Sequence, residues 1–89
     1  MTRVVFTSHL KRHVDCPDCD AQGGTVREAL NDVFSRNRPV EGYIVDELKR
    51  LRKHVVIFID GQMIQDRTEL SDPVTPSSEI YVMQALSGG

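Results

Sequence analysis

The stretch Val55-Val56-Ile57-Phe58-Ile59-Asp60-Gly61-Gln62-Met63-Ile64 decides how this chain folds. Its first five residues are β-branched or aromatic throughout, the composition of a strand. Asp60-Gly61 follows at once and is the strongest two-residue hairpin signal, so residues 62–64 are the predicted return strand. Just upstream, residues 43–46 predict a further short strand, placed to pair with Leu51 onward across the polar turn 47–50. Before that lies a clear helix start. In Thr25-Val26-Arg27-Glu28 the Thr hydroxyl and the Glu carboxylate each satisfy a free backbone N–H, a capping box. Behind it Val26, Ala29, Leu30, Val33 and Phe34 recur at helical spacing and make one apolar face. Pro39 lies past the last periodic residue and limits the helix to about residues 25–37.

Towards the ends the signals are shorter. Residues 3–8 predict a strand, and residues 13–19 a weaker one, because Pro17 is tolerated only at an edge or a bulge. Residues 66–78 hold Pro73 and Pro76 among Ser and Thr and read as loop, and residues 79–86 predict the last strand. One helix and about five strands close a core only if the helix packs across one face of the sheet. Used as a crossover, the helix lets the first and last strands lie parallel in mid-sheet. The expected fold is therefore α+β, a β-grasp roll with a mixed sheet of about five strands. Residues 1–86 are expected to form one domain and residues 87–89 a flexible tail.

Bulk properties narrow the function. A chain of 89 residues carries one thin core, which excludes a two-domain enzyme with a deep interdomain cleft. A net charge of -2 and a pI near 5.8 argue against a nucleic-acid binder. The longest apolar run, residues 55–59, is far below the roughly 20 residues of a membrane helix. The first residues lack the basic-then-apolar order of a signal peptide, and two cysteines without an export signal point to a reducing, cytoplasmic compartment. There is no nucleophile elbow, no phosphate-binding glycine loop and no Ser/His/Asp set in a recognisable context, so the chain does not read as an enzyme.

Three segments carry a family resemblance. Residues 53–61 (KHVVIFIDG), the loop Leu70-Ser71-Asp72-Pro73 and the ending 79–89 (EIYVMQALSGG) resemble the MoaD/ThiS family of ubiquitin-like sulfur carriers. The likeness spans nearly the whole chain. Its most specific part is the combination of strand, hairpin and terminal Gly88-Gly89. The resemblance implies a protein that is a substrate rather than a catalyst. A ubiquitin-activating-enzyme-like adenylyltransferase would adenylate Gly89 with MgATP, the chain itself binding no cofactor. A sulfurtransferase or cysteine desulfurase would then convert the acyl-adenylate to a thiocarboxylate. The sulfur would pass to an acceptor enzyme such as a molybdopterin synthase large subunit or a thiazole synthase, or serve amino-acid or tRNA-thiolation biosynthesis. No nucleic acid and no membrane partner is expected. A modifier joined to lysines through the same glycine is the alternative reading, and a non-covalent interaction module a third.

The residues support this independently. A carboxylate is inert until activated, and reaching an enzyme's ATP site needs a thin, unbranched tail; glycine, lacking Cβ, suits it. Gly89 would carry the reactive carbon, with Gly88 and Ser87 giving access. If Val55, Ile57, Ile59, Ile80 and Val82 face the helix, the period of two sends Val56, Phe58, Tyr81 and Met83 to the open face. Val5 joins them if Val4 and Phe6 point inward, and Leu86 is counted as a docking position beside the tail. An uncovered apolar patch of this kind marks a partner surface. The competing expectation is that residues 41–53 or 66–78 fold over it as a second small core.

Other motifs read more plainly. His9, His13, Cys16 and Cys19 supply four zinc-type ligands within eleven residues, and Cys16-Pro17-Asp18-Cys19 departs from the family pattern as quoted above. In an extended segment, residues three apart face opposite sides, so these converge only if Pro17 makes a turn. Two unrelated thiols near a sheet edge is the favoured reading, ahead of metal and of redox or persulfide chemistry. Lys49, Arg50, Arg52 and Lys53, with His54 adjacent, read as a solvated hairpin tip before an electrostatic contact with an acidic partner. Gly23-Gly24 reads as a turn into the helix before an anion site.

Overall fold

The computed structural model describes residues 1–84 and, within them, every side chain but that of His9. In chain order the elements are β1 (Thr2–Phe6), α1 (Ser8–Lys11), β2 (Cys19–Ala21), α2 (Val26–Arg36), α3 (Arg38–Ile44), β3 (Val55–Ile59), β4 (Gln62–Met63) and β5 (Glu79–Gln84). Among the described residues the strands form one five-stranded sheet in the order β2-β1-β5-β3-β4. At its centre β1 and β5 run parallel, with Val4 opposite Ile80 and Phe6 opposite Val82. The remaining pairs are antiparallel. This is the α+β β-grasp roll that the element order predicts.

The start of α2 shows how local chemistry locks the roll. Thr25 Oγ1 accepts from the Glu28 N–H at 3.2 Å. The Val26 and Arg27 N–H groups donate to the carbonyls of Asp72 and Leu70 at 3.0 and 2.9 Å. These three N–H groups have no partner inside the helix, and all three are used. Glu28 Oε1 reaches back to the Gly24 N–H at 2.7 Å, one residue earlier than the usual capping-box partner. Gly23 sits at φ +146°, where a Cβ would lie 2.6 Å from Glu28 Cβ. The Gly-Gly pair is thus a turn closed against its own helix, and the loop after Leu70 caps that helix from outside. Val26, Ala29, Leu30, Val33 and Phe34 are all buried, in one core with Val4, Phe6, Val55, Ile57, Ile80 and Val82. Truncating one of the large members, Leu30 to Ala, would cost about 2–5 kcal/mol.

The hairpin after β3 forms with Asp60 and Gly61 at φ 50° and 87°, both positive as a type I′ turn requires. Elsewhere the structure departs from expectation. The first strand ends at Phe6, and Thr7 takes the N-cap position of the one-turn helix α1 without a side-chain cap; Leu10 of that helix is fully buried. The strand expected at 13–19 is displaced to Cys19–Ala21. Pro17 offers no N–H there, and Asp18 ends the ladder by accepting the Phe6 N–H at 3.0 Å. The strand expected at 43–46 is replaced by the last turn of α3 and a single bridge, Val45 to Leu51. Pro39 does end α2, but it also lies in the first turn of α3, where a missing N–H costs nothing. Asn37 therefore caps two helices at once. The final residues of the predicted last strand, 85–86, lie outside the described residues.

Candidate docking face and the root of the tail

Strand pairing sets the face turned away from α2. Residues opposite one another in a sheet share a face, so Val5, Tyr81, Phe58 and Met63 form one row across β1, β5, β3 and β4. Val56 and Met83 form the next row towards the end of β5. Val5, Val56 and Phe58 are half-buried, while Met63, Tyr81 and Met83 are 55%, 38% and 37% exposed. Behind the first row the face turns polar: Arg3 stands opposite both Asp20 and Glu79 and pairs with Asp20 at 3.6 Å. The Tyr81 hydroxyl is hydrogen-bonded to the Glu79 carboxylate, which pushes its pKa above the ordinary phenol value. The patch therefore has a polar far edge and is apolar on the side where β5 leads out to residues 85–89.

Residues 41–53 and 66–78 do not cover this face among the described residues. Of their apolar members, Ile44, Val45, Leu51, Leu70 and Val74 are buried in the single core with α2, Tyr43 packs partly against that core, and Leu48 is exposed. Loop 66–78 is held by carboxylates. Asp66 accepts from the N–H groups of Thr68 and Glu69 and from the Ser71 hydroxyl and N–H. Those bonds, the Ser71 hydroxyl first, hold the Asp66 carboxyl down at about 2. Asp72 accepts from the N–H groups of Gln65 and Asp66.

Met63 was missing from the patch as read from sequence. Its signal was available, since a two-residue turn at Asp60-Gly61 puts Gln62 opposite Ile59 and Met63 opposite Phe58. The proposed reactive and access positions Gly89, Gly88 and Ser87, and the docking position Leu86, lie outside the described residues.

The four zinc-type residues are dispersed where they are described. His13 stacks on Tyr43 with ring centroids 6.0 Å apart. Cys16 is 1% exposed in the core and Cys19 is half-buried, both as free thiols. Burial pushes both thiol pKa values up, which keeps them protonated and unreactive at neutral pH. Among the described residues no three of His, Cys, Asp or Glu are grouped to hold a metal ion; the His9 side chain is outside that statement. The basic run is largely internal: Lys49 pairs with Glu41 at 2.7 Å, Arg50 with Asp46 at 3.1 Å, and Arg52 donates to the Gly42 carbonyl at 2.7 Å.

Among solved structures the chain is similar to a chain of the Amycolatopsis orientalis BexX/CysO complex, at 22% identity over 100% of each chain with a TM-score of 0.82. It is similar to Mycobacterium tuberculosis CysO, described as an antigen, at 15% identity over 97% of this chain and 100% of that one, with a TM-score of 0.81. The small archaeal modifier protein 1 of Methanosarcina acetivorans is matched at 20% identity over 99% and 95% of the two chains, with a TM-score of 0.80. The chain matches no protein-family model and no curated protein sequence. At these identities the likeness establishes the fold, the ubiquitin-like β-grasp. Among the described residues no helix is long and apolar enough to cross a membrane.

Proposed function

We propose that this chain is a sulfur carrier whose C-terminal carboxylate, at Gly89, is the working group. The carboxylate attacks the α-phosphorus of ATP on an activating enzyme, pyrophosphate leaves, and an acyl-adenylate forms. The outer sulfur of a persulfide on a sulfurtransferase or cysteine desulfurase then displaces AMP to give an acyl disulfide. A second thiol of that donor cleaves it, leaving the donor as a disulfide and the chain as a thiocarboxylate, which donates to an acceptor enzyme. The chain is the substrate in each step and MgATP belongs to the partner. The observation that supports this reading best is the position of β5. It is held on both sides, by β1 and β3, and runs past an uncovered apolar patch towards Gly88-Gly89. A strand paired on both sides beside a docking face fixes the position of its last described residue, Gln84, relative to whatever grips that face. Val5, Val56, Phe58, Met63, Tyr81 and Met83 are the gripping residues in this reading.

The test is intact mass after reduction, following incubation with ATP, a sulfur donor and an activating enzyme. Replacement of one oxygen by one sulfur, mapped to Gly89, is the expected result. No mass change, or sulfur held only on Cys16 or Cys19 and lost with reductant, overturns it. A second reading, conjugation of Gly89 to lysines, is favoured by the shared fold with the small archaeal modifier proteins. Lysine-linked adducts in an ATP-supplied extract, without the thiocarboxylate mass, would establish that reading instead.

A further inference from the structure

Beside the end of β5 the charge of the molecule reverses. Val55 pairs with Gln84, so residues 52–54 stand where the chain leaves the sheet. Two adjoining cavities of ≈ 410 and ≈ 530 Å³ meet there and share Arg52 and His54. Gln84 lines the first, and Arg50, Lys53 and Arg67 line the second. Arg50 is neutralised by Asp46, the one carboxylate among the described residues that line either cavity. Arg52 and Arg67 are held by carbonyls instead, Arg52 Nε on Gly42 O and Arg67 Nη2 on Arg52 O, each at 2.7 Å. A carbonyl fixes a guanidinium without cancelling its charge. Lys53 is exposed and forms no ion pair among the described residues. Elsewhere Arg3, Lys11, Arg36 and Lys49 each stand against a carboxylate, while Arg12, Arg27 and Arg38 form no ion pair among the described residues but line neither cavity. A chain of net charge -2 thus keeps three uncompensated cations in one trough. At its edge, Gln84 Oε1 is buried with no hydrogen-bond partner among the described residues, an arrangement that is costly unless a donor arrives.

We infer that this trough receives an acidic, extended peptide segment of the protein that docks on the sheet face. Its carboxylates lie against Arg52, Lys53 and Arg67, and one of its backbone N–H groups satisfies Gln84 Oε1. An acidic peptide offers both halves: carboxylates that carry negative charge to the cations and a backbone N–H donor beside them. A phosphate chain or an unfunctionalised anion leaves Gln84 unmatched. The guanidiniums are already in place, so little ordering entropy is spent on binding. The identity of the partner as the activating enzyme rests on the sulfur-carrier reading; the chemistry of the trough does not.

The test titrates octaglutamate into the whole 15N-labelled chain. Amide shifts at residues 52–54, 67 and 68 and at the Gln84 side chain are expected, with affinity falling about tenfold from about 20 to about 200 mM NaCl as screening sets in. Lys53→Glu, at an exposed position, should weaken binding about tenfold with an unchanged circular dichroism spectrum, and Lys53→Gln should lie between. A (Gly-Ser) peptide of equal length should leave the spectrum unmoved. Shifts scattered over the surface, indifference to Lys53→Glu, or equal shifts and affinity with an oligothymidylate would overturn the inference. If octaglutamate binds at the trough but Gly89 never takes sulfur, the carrier reading has failed and the trough stands. If Gly89 loads normally in Lys53→Glu at every salt concentration and octaglutamate leaves the trough unmoved, the reverse holds.

Discussion

Three glycines of this chain separate backbone strain from lack of space, and replacing each by alanine yields graded costs. At Gly24 an added Cβ finds its nearest neighbour, Glu28 Oε1, at 3.7 Å, and φ is ordinary. Gly24→Ala should change stability by under about 0.5 kcal/mol, as surface substitutions commonly do. At Gly61 there is open space but φ is +87°, so only conformational strain is added, about 1 kcal/mol. At Gly23 both terms act. Its φ of +146° is a region that side chains rarely adopt, and the new Cβ would meet Glu28 Cβ at 2.6 Å, Ala29 N at 2.8 Å and Glu28 C at 2.9 Å. Two of those three atoms are helix backbone, which cannot swing aside. Strain of about 1–3 kcal/mol and overpacking of about 1–3 kcal/mol sum to roughly 4 kcal/mol. For a domain of this size each kcal/mol moves the melting midpoint by about 4–8 °C. Gly23→Ala should therefore melt about 16–32 °C below the parent, Gly61→Ala about 4–8 °C below, and Gly24→Ala within a few degrees. Thermal unfolding followed by circular dichroism reads all three. Gly23→Ala melting no lower than Gly61→Ala would refute the claim that the β2–α2 turn is closed against the helix.

Further predictions concern the loop, the thiols and the face. The Asp66 carboxyl is held at about 2 against an ordinary value of 3.8, so its contribution is complete above pH 4 and is lost as pH falls through about 2. The stability gap between the parent and Asp66→Asn, measured by urea midpoints, should shrink from pH 5 to pH 2; a constant gap would contradict the assignment. Cys16 and Cys19, with burial-raised pKa values, should react with iodoacetamide at pH 7 at least about tenfold more slowly than in the urea-unfolded chain. Cys19 should react before Cys16, and labelling at the unfolded rate in the native protein would show the thiols to be accessible. Tyr81→Ala and Met83→Asp should each raise the KM for sulfur loading of Gly89 about tenfold, the size of an interface hot spot, with folding intact. Unaltered loading in both would move the docking surface elsewhere.

The elements legible in sequence were those whose signals are local and redundant. The capping box and the spacing of Val26, Ala29, Leu30, Val33 and Phe34 agree on one helix, and five apolar residues before Asp60-Gly61 agree on one strand and its hairpin. Where a residue type serves two purposes, the reading slipped. Pro39 stops one helix and starts another, and no local pattern separates the two when Asn37 alone stands between them. The one-turn helix at Ser8–Lys11 has no side-chain cap; it exists because Leu10 is buried, a tertiary cause. The open face needed only alternation for Val56, Phe58, Tyr81 and Met83, but Met63 needed the register of the turn. The charge trough at the end of β5 was invisible for another reason: Arg67 joins Arg52 from fifteen residues away through a backbone carbonyl.

The place of β5 also sets when the sheet of a newly made chain can close. In the sheet formed by the described residues β1 and β3 are not neighbours; β5 lies between them and pairs with both. Until the ribosome has released that strand, the N-terminal pair β1–β2 and the hairpin β3–β4 are separate pieces without a common sheet. Arg3 meets Glu79 only then, a closure across most of the chain and a slow kind of folding step. Until β5 pairs on both sides, the rows that make the open face, Val5 beside Tyr81 and Tyr81 beside Phe58, do not exist, so the face and the finished sheet appear together.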